Sequence, residues 1–171
     1  MDAYAAVRSR VAVREFTERQ VPDNVLKEIL LAARWAPSQR NRQPWHFVVV
    51  RNKEKLQRIG DFASSGRFIA DAPMAIAIAM DGTKLTQFDA ARAIQNMVLV
   101  AWTHGVGTVY VHGVDRDAVK LLLDIPQDFE LITVMPYGYP TDAAKSVKKR
   151  RKSLHEIAHV ERYGQSYTDP L

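Results

Sequence analysis

"RWAPSQRNRQPWHFVVV", residues 34 to 50, joins two kinds of text. Its second half, Phe47 to Val50, is an apolar run suited to a buried strand, whereas Ser38, Gln39, Arg40, Asn41, Arg42 and Gln43 crowd polar side chains between Pro37 and Pro44. A chain about to enter its core has no packing reason to lay down six hydrogen-bonding side chains first. Packing alone gives no reason for the first half, and "WHFVVV" reads as the strand that follows it.

Working outward, the segment after "VPDN" reads as a helix capped by Asp23 or Asn24, with Val25, Ile29, Ala32, Ala33 and Ala36 on one face before Pro37 stops it. "NKEKLQRIGDFA" is a short helix, and "APMAIAIAM" (72 to 80) a strand ended by the turn signal Asp81-Gly82. The longest helix is expected from about Phe88 to His104, with Ala91, Ile94, Gln95, Val98 and Ala101 or Trp102 in one stripe and Gly105 as its C-terminal cap. "VGTVYVHG" (106 to 113) reads as a strand, Asp115 caps a helix through Leu123, "LITVMPYGYP" (131 to 140) is a further strand, and "SLHEIAHVERYG" closes the chain as a helix. Alternating elements give α+β or α/β in three layers, with helices on both faces of a sheet. The connections leave parallel and antiparallel pairing open.

The 171 residues suit one domain, 1–171, long enough to bury roughly 70% of the unfolded surface. No cysteine is present, which excludes disulfides, thiolate metal sites and cysteine nucleophiles and fits a reducing compartment. Any redox chemistry must then come from a cofactor. The N-terminal "MDAYAAVRSRVAVREF" carries arginines where a secretory signal is apolar, and "APMAIAIAM" is about half a membrane span. The expectation is a cytoplasmic protein with no membrane association.

Net charge is +5, and six of the eight residues in "KSVKKRRK" (145 to 152) are basic, so the partner is an anion unless the run is a solvated tail. Neither G-x-G-x-x-G nor the P-loop pattern occurs, so a phosphate must be held by side chains: Arg8, Arg10 and Arg14, or Lys148 to Lys152. "HEIAH", 155 to 159, matches the zinc-peptidase pattern H-E-x-x-H. It lacks a distant third ligand and stands behind a cationic block that repels a dication, so an ordinary terminal helix showing His155 and Glu156 to solvent is expected. Gly113 and Gly138 stand just past strands, either as turns or where backbone approaches a flat ligand.

Four of these pieces, in order along nearly the whole chain, resemble the FMN-dependent nitroreductases. "RVAVREFTERQVPDNVLKEIL" is similar to that family's R-x-S-x-R-x-F segment and first long helix. Pro37, Ser38, Asn41, Gln43, Pro44 and Trp45 match A-P-S-x-x-N-x-Q-P-W, and "LITVMPYGYP" with "KKRRKSLHEI" resembles the closing G-Y-P and K-x-R-x-P-L segments. The resemblance implies an α+β fold whose central, mainly antiparallel sheet is flanked by helices on both faces. It also implies bound FMN, NAD(P)H as electron donor, a small nitroaromatic, quinone or similar acceptor served by a ping-pong scheme, and a homodimer with its active sites at the subunit interface.

By the same resemblance, Arg10 holds the FMN phosphate with Lys149 and Arg151, and Val11 and Ala12 lie beside it. Arg14 faces the pyrimidine edge of the flavin, where a cation stabilises the reduced form. Pro37, Ser38, Asn41 and Gln43 reach a flavin held mainly by the other chain. Tyr110, Val111, His112 and Gly113 form the loop that brings a backbone N–H to flavin N5, His112 acting through its main chain. The sequence departs from the family in having Ala12 where serine is frequent, Ser153 where proline is usual, and no longer helical insertion after the central helix. A flavin- or nucleic-acid-binding module without turnover is the alternative that the basic run suggests, and a zinc peptidase the one suggested by "HEIAH".

Overall fold

Strand β2 (Met74–Met80) is buried along its full length, because its alternate side chains enter two different cores. Met74, Ile76, Ile78 and Met80 pack on one side with residues of α2 (Asp23–Arg34) and α4 (Thr86–Thr103), while Ala75, Ala77 and Ala79 meet α3 (Lys53–Asp61) and α5 (Arg116–Leu122) on the other. Burying each of the large side chains is worth about 1.5–3 kcal/mol, so β2 is the axis of the fold. The structure, a computed structural model, describes residues 1–82, 86–145 and 149–168. The middle of the basic run, including Lys148, lies outside the described residues.

The sheet has the order β1-β2-β4-β3, with β1 at Trp45–Val50, β3 at Gly107–Thr108 and β4 at Glu130–Gly138. Every pairing within it is antiparallel, which settles what the connections left open. Helices cover both faces, so the architecture is three-layered α+β. Short helices α1 (Ala3–Ser9), α6 (Asp142–Lys145) and α7 (Leu154–Ile157) complete the described elements, with 3-10 turns at Gln39–Asn41 and Arg67–Asp71. No described helix is long and apolar enough to cross a membrane.

Several sequence expectations shift for local reasons. Helix α2 starts at Asp23, with Pro22 in the capping position and no side-chain cap bond, so neither Asp23 nor Asn24 serves as its cap. Gly105 does end α4, with φ of 74° and the Val106 N–H returning 2.9 Å to the Ala101 carbonyl. The most deeply buried residues of α4 are Ala90, Ala93, Met97 and Ala101, so the expected stripe is offset by part of a turn. Helix α1, unforeseen in sequence, is capped by Asp2 and tied to α4 by the Trp102 indole N–H donating to Ser9 Oγ at 2.9 Å.

The strand expected over 106–113 stops at Thr108. Beyond it, side chains replace the ladder: Thr133 Oγ1 donates to the Val111 carbonyl at 2.8 Å, and the Tyr110 hydroxyl donates to the Ile132 carbonyl at 3.3 Å. Ile132 is the extra residue of a bulge, opposite the step between Ile78 and Ala79. The terminal helix is also shorter than "SLHEIAHVERYG" implied. It ends at Ile157, and residues 158–167 fold back on themselves through Val160 N–H to Gln165 O and Tyr167 N–H to Ala158 O, turning at Gly164 with φ of 95°.

Candidate functional site

The segment from Arg10 to Arg14 is extended and lies beside β3, with the Val13 N–H donating 3.1 Å to the Thr108 carbonyl. Its alternation sends Val11 and Val13 into the interior and turns Arg10 and Ala12 toward a cavity of about 420 Å³. Arg14 shares their parity, is exposed, and makes no ion pair with a described residue. Ala91, Ile94, Gln95 and Val98 from α4 form a second wall, and Thr108, Tyr110, His112 and Met135 close the cavity from the sheet side. A smaller cavity of about 250 Å³ adjoins it, sharing Ala91, Ile94, Tyr110 and His112.

One end of this site is strongly cationic. Lys149 donates to the Arg8 carbonyl, and its ammonium is held below the usual lysine range by desolvation first and then by the charges of Arg10, Arg151 and Arg8. Four mutually repelling cations with few acid partners are arranged for an anion. The other end has charge of both signs nearby, Arg116 and Glu130 lining the adjoining cavity. The His112 N–H has no acceptor among the described residues, while its carbonyl accepts from Val114 N–H at 3.0 Å. Gly113 differs: its N–H donates to Ser65 Oγ at 3.2 Å and its carbonyl accepts from Ser64 Oγ at 3.3 Å. A Cβ there would stand 2.4 Å from Ser64 Oγ and 2.7 Å from Ser65 Oγ, so a side chain at 113 would have to displace both hydroxyls that bond to it. Gly138 is likewise packed against Phe16 and Pro73 inside β4.

Two hydroxyls beneath the cavity fall short of hydrogen-bond geometry with any described group and have only each other as polar neighbours: Thr108 Oγ1, which lines it, and Tyr137 Oη, on the cross-strand residue. Burial pushes the Tyr137 phenol far above its usual value, and the adjacent Thr108 hydroxyl offsets part of that rise. Buried polar atoms without partners are uncommon and mark places where another group completes the bonding.

The polar loop stands elsewhere. Ser38 Oγ accepts from the Gln43 N–H at 2.9 Å, and Arg40, Asn41 and Gln43 each adopt φ of 53°. The loop docks on α4 where Gln39 N–H meets the buried Asp89 carboxylate at 3.1 Å. At about 100° per residue, Asp89 projects from the side of α4 opposite Ala91, Gln95 and Val98. Within one chain, Pro37, Ser38, Asn41 and Gln43 are therefore not brought together with Arg10, Ala12, Tyr110 and His112. Gln95, Thr108 and Asp89 were missed as site residues in sequence. The available signal was polarity at helical or strand positions whose neighbours are apolar.

In "HEIAH" the two histidines do not share a helix turn, because α7 ends between them. Glu156 accepts from the Ser153 N–H and hydroxyl at 2.8 and 2.9 Å, which holds its carboxyl below the usual range, and the His159 ring packs tilted against Tyr163. Among the described residues no cluster of three or more histidine, cysteine, aspartate or glutamate side chains is placed to hold a metal ion.

The model of the Nitroreductase family matches residues 7–76 and 64–139. This chain belongs to that family. A protein of Methanothermobacter thermautotrophicus carrying the provisional name NADH dehydrogenase/NAD(P)H nitroreductase is 36% identical over 152 residues, covering 83% of this chain and 79% of its own. An FMN reductase [NAD(P)H] of Bacillus subtilis is 25% identical over 177 residues, covering 89% and 70%. The crystal structure of a similarly named protein of Bacteroides thetaiotaomicron superposes with a TM-score of 0.85 at 25% identity, over 94% of this chain and 98% of that one. Such a nitroreductase-family chain has the mainly antiparallel three-layer fold described above.

Proposed function

We propose that this nitroreductase-family protein is an FMN-dependent NAD(P)H oxidoreductase, working as a homodimer on a flat small-molecule acceptor such as a nitroaromatic or a quinone. The observation that carries the proposal is the convergence on one cavity of Arg10 and Ala12 from the N-terminal segment with Tyr110 and His112 from the segment after β3. The residues fit the group: a cationic end for its phosphate, a wall with a Thr108 hydroxyl short of hydrogen-bond geometry, and a free His112 N–H. When bound, FMN would supply the two-electron redox chemistry that couples NAD(P)H oxidation to reduction of the acceptor.

The chain's own residues bind, orient and tune. Arg10, Lys149 and Arg151 hold the phosphate dianion through charge-assisted bonds, and the anion in turn relieves their mutual repulsion. Val11 contributes only backbone, since its side chain is buried, and Val111 has its carbonyl bound to Thr133, which fixes the approach of the His112 N–H. Arg14 places a cation where negative charge gathers on reduction. Pro37, Ser38, Asn41 and Gln43 act on the partner's flavin, which the placement of their loop across α4 favours. Donor and acceptor taking turns at one face of the flavin would give ping-pong kinetics. NAD(P)H supply puts the reaction in the cytoplasm.

The test is the visible spectrum of the purified protein, with chromatographic identification of what heat releases. Stoichiometric FMN bleached anaerobically by NADH or NADPH supports the proposal. A colourless protein that binds no added FMN, yet binds duplex DNA with steep salt dependence, would replace it with the nucleic-acid alternative.

A further inference from the structure

We infer that Asp89 is the positioning residue of the 38–43 loop, holding it in the conformation that presents Ser38, Asn41 and Gln43 to the neighbouring chain's flavin. The inference rests on the two-chain site proposed above. Asp89 stands in the first turn of α4, its side chain only 6% exposed. A carboxylate so buried is tolerated only with partners. It has two: the Gln39 N–H, 3.3 Å from Oδ1 and 3.1 Å from Oδ2, and the Arg92 guanidinium, 3.0 Å from Oδ1.

The loop needs such a tie because it is conformationally costly. Three of its non-glycine residues, Arg40, Asn41 and Gln43, sit in the left-handed region, which persists only where surroundings over-determine it. Its other hydrogen bonds are internal: Asn41 N–H to Ser38 O, Arg42 N–H to Gln39 O, Gln43 N–H to Ser38 Oγ and the Gln43 amide to Asn41 O. Internal bonds close the turn without fixing where it points. Among the described residues between Ala36 and Pro44, the hydrogen bond that joins this turn to the body of the protein is Gln39 to Asp89. Asp89 touches neither the cavity of its own chain nor any reacting atom, so its effect on flavin binding must pass through the loop.

The experiment measures FMN affinity by flavin fluorescence, and amide hydrogen exchange, for wild type, Asp89→Ala, Asp89→Asn, Asn41→Ala and the double variant Asp89→Ala/Asn41→Ala. Losing the tie should weaken FMN binding about tenfold or more in Asp89→Ala, whereas Asp89→Asn, keeping one acceptor oxygen, stays within about threefold. The double variant should bind no worse than Asp89→Ala alone, because Asn41 is already misplaced. Exchange should quicken at residues 39–43 and not along α4. Gln39→Pro provides a second route if Asp89→Ala folds poorly: it deletes the donor at a first helical position that accepts proline, and should reproduce the same loss. Wild-type FMN affinity in folded Gln39→Pro or Asp89→Ala, or additive losses in the double variant, would overturn the inference. If wild type itself binds no FMN, the proposed function falls, and exchange in the Asp89→Ala protein still decides the tie: selective loss of protection at 39–43 upholds it, uniform loss refutes it.

Discussion

Tyr137 is wholly buried in β4, and its hydroxyl meets only the Thr108 hydroxyl, without reaching hydrogen-bond geometry. A buried hydroxyl without a full hydrogen bond costs the fold its desolvation, so Tyr137→Phe is expected to stabilise the cofactor-free protein by about 1 kcal/mol, read from denaturant midpoints. The pH dependence gives a second check. Burial raises the folded phenol above its unfolded value near 10, so above that pH the unfolded chain releases a proton that the folded chain keeps. The group's contribution is fully present below pH 10 and is lost as pH rises beyond it. Tyr137→Phe should therefore lose stability less steeply between about pH 10 and 12. For Arg14, proposed to face the flavin, replacement with Gln should remove a charged contact worth about 1.5–3 kcal/mol, which for a two-electron couple lowers the flavin midpoint by about 30–60 mV. Unchanged potential with FMN bound would refute its placement at the flavin. Arg10, Ala12 and Arg14 entered the sequence reading through the resemblance to the family's N-terminal motif, whereas the shared parity that turns Arg10 and Ala12 to the cavity depends on the pairing of their segment with β3. The Thr108 and Tyr137 hydroxyls were not legible in sequence, since each hydroxyl's partners depend on which strand lies alongside.

At the scale of elements, the N-terminal segment is placed by a glycine. A Cβ at Gly107 would stand 2.4 Å from Val13 Cγ2 and 2.7 Å from Val13 Cβ, so the close approach of residues 10–14 to β3 requires its absence. Gly107→Ala should force the two apart, costing about 1–3 kcal/mol, and should weaken FMN binding more than an equally destabilising change elsewhere in the sheet. Equal losses of affinity in both would show that the segment does not carry the phosphate grip. Strands β1, β2 and β4 were readable because buried apolar runs bounded by turn signals are local patterns. The early stop of β3 was not, because it depends on Thr133 and Tyr110 diverting residues 109–113 from the ladder, and on the bulge at Ile132. Bulge-dependent geometry brings Ile132 into the cluster containing Met135 and Tyr137, although alternation from Val134 would place it with the opposite core. The tail failed for a similar reason. Its helical spacing is real, but Gly164 and the backbone bonds between Ala158 and Tyr167 favour a turn.

For the whole molecule, α4 separates the cavity from the 38–43 loop, so a loop that serves a flavin must serve one in another chain. Large apolar side chains stand exposed at both ends of the chain, among them Tyr4, Val7, Leu154 and Ile157, together with Trp35 at 76% exposure. Apolar surface of this kind suits a partner, and aromatic residues such as Trp35 are enriched at such interfaces. If two copies pair with two-fold symmetry, each flavin takes its phosphate grip from one chain and Ser38, Asn41 and Gln43 from the other. Arg10→Ala and Asn41→Ala homodimers should then each have two damaged sites. A hybrid of the two has one site carrying both substitutions and one carrying neither. Random reassembly of an equal mixture should thus recover about a quarter of the wild-type sites, measured as tight FMN binding and NAD(P)H oxidation with a quinone. Recovery that tracks the hybrid fraction would establish that the loop crosses to the partner. Hybrids no better than the parents would mean that Arg10 and Asn41 serve the same flavin from the same chain, and the homodimer would lose its part in building the site.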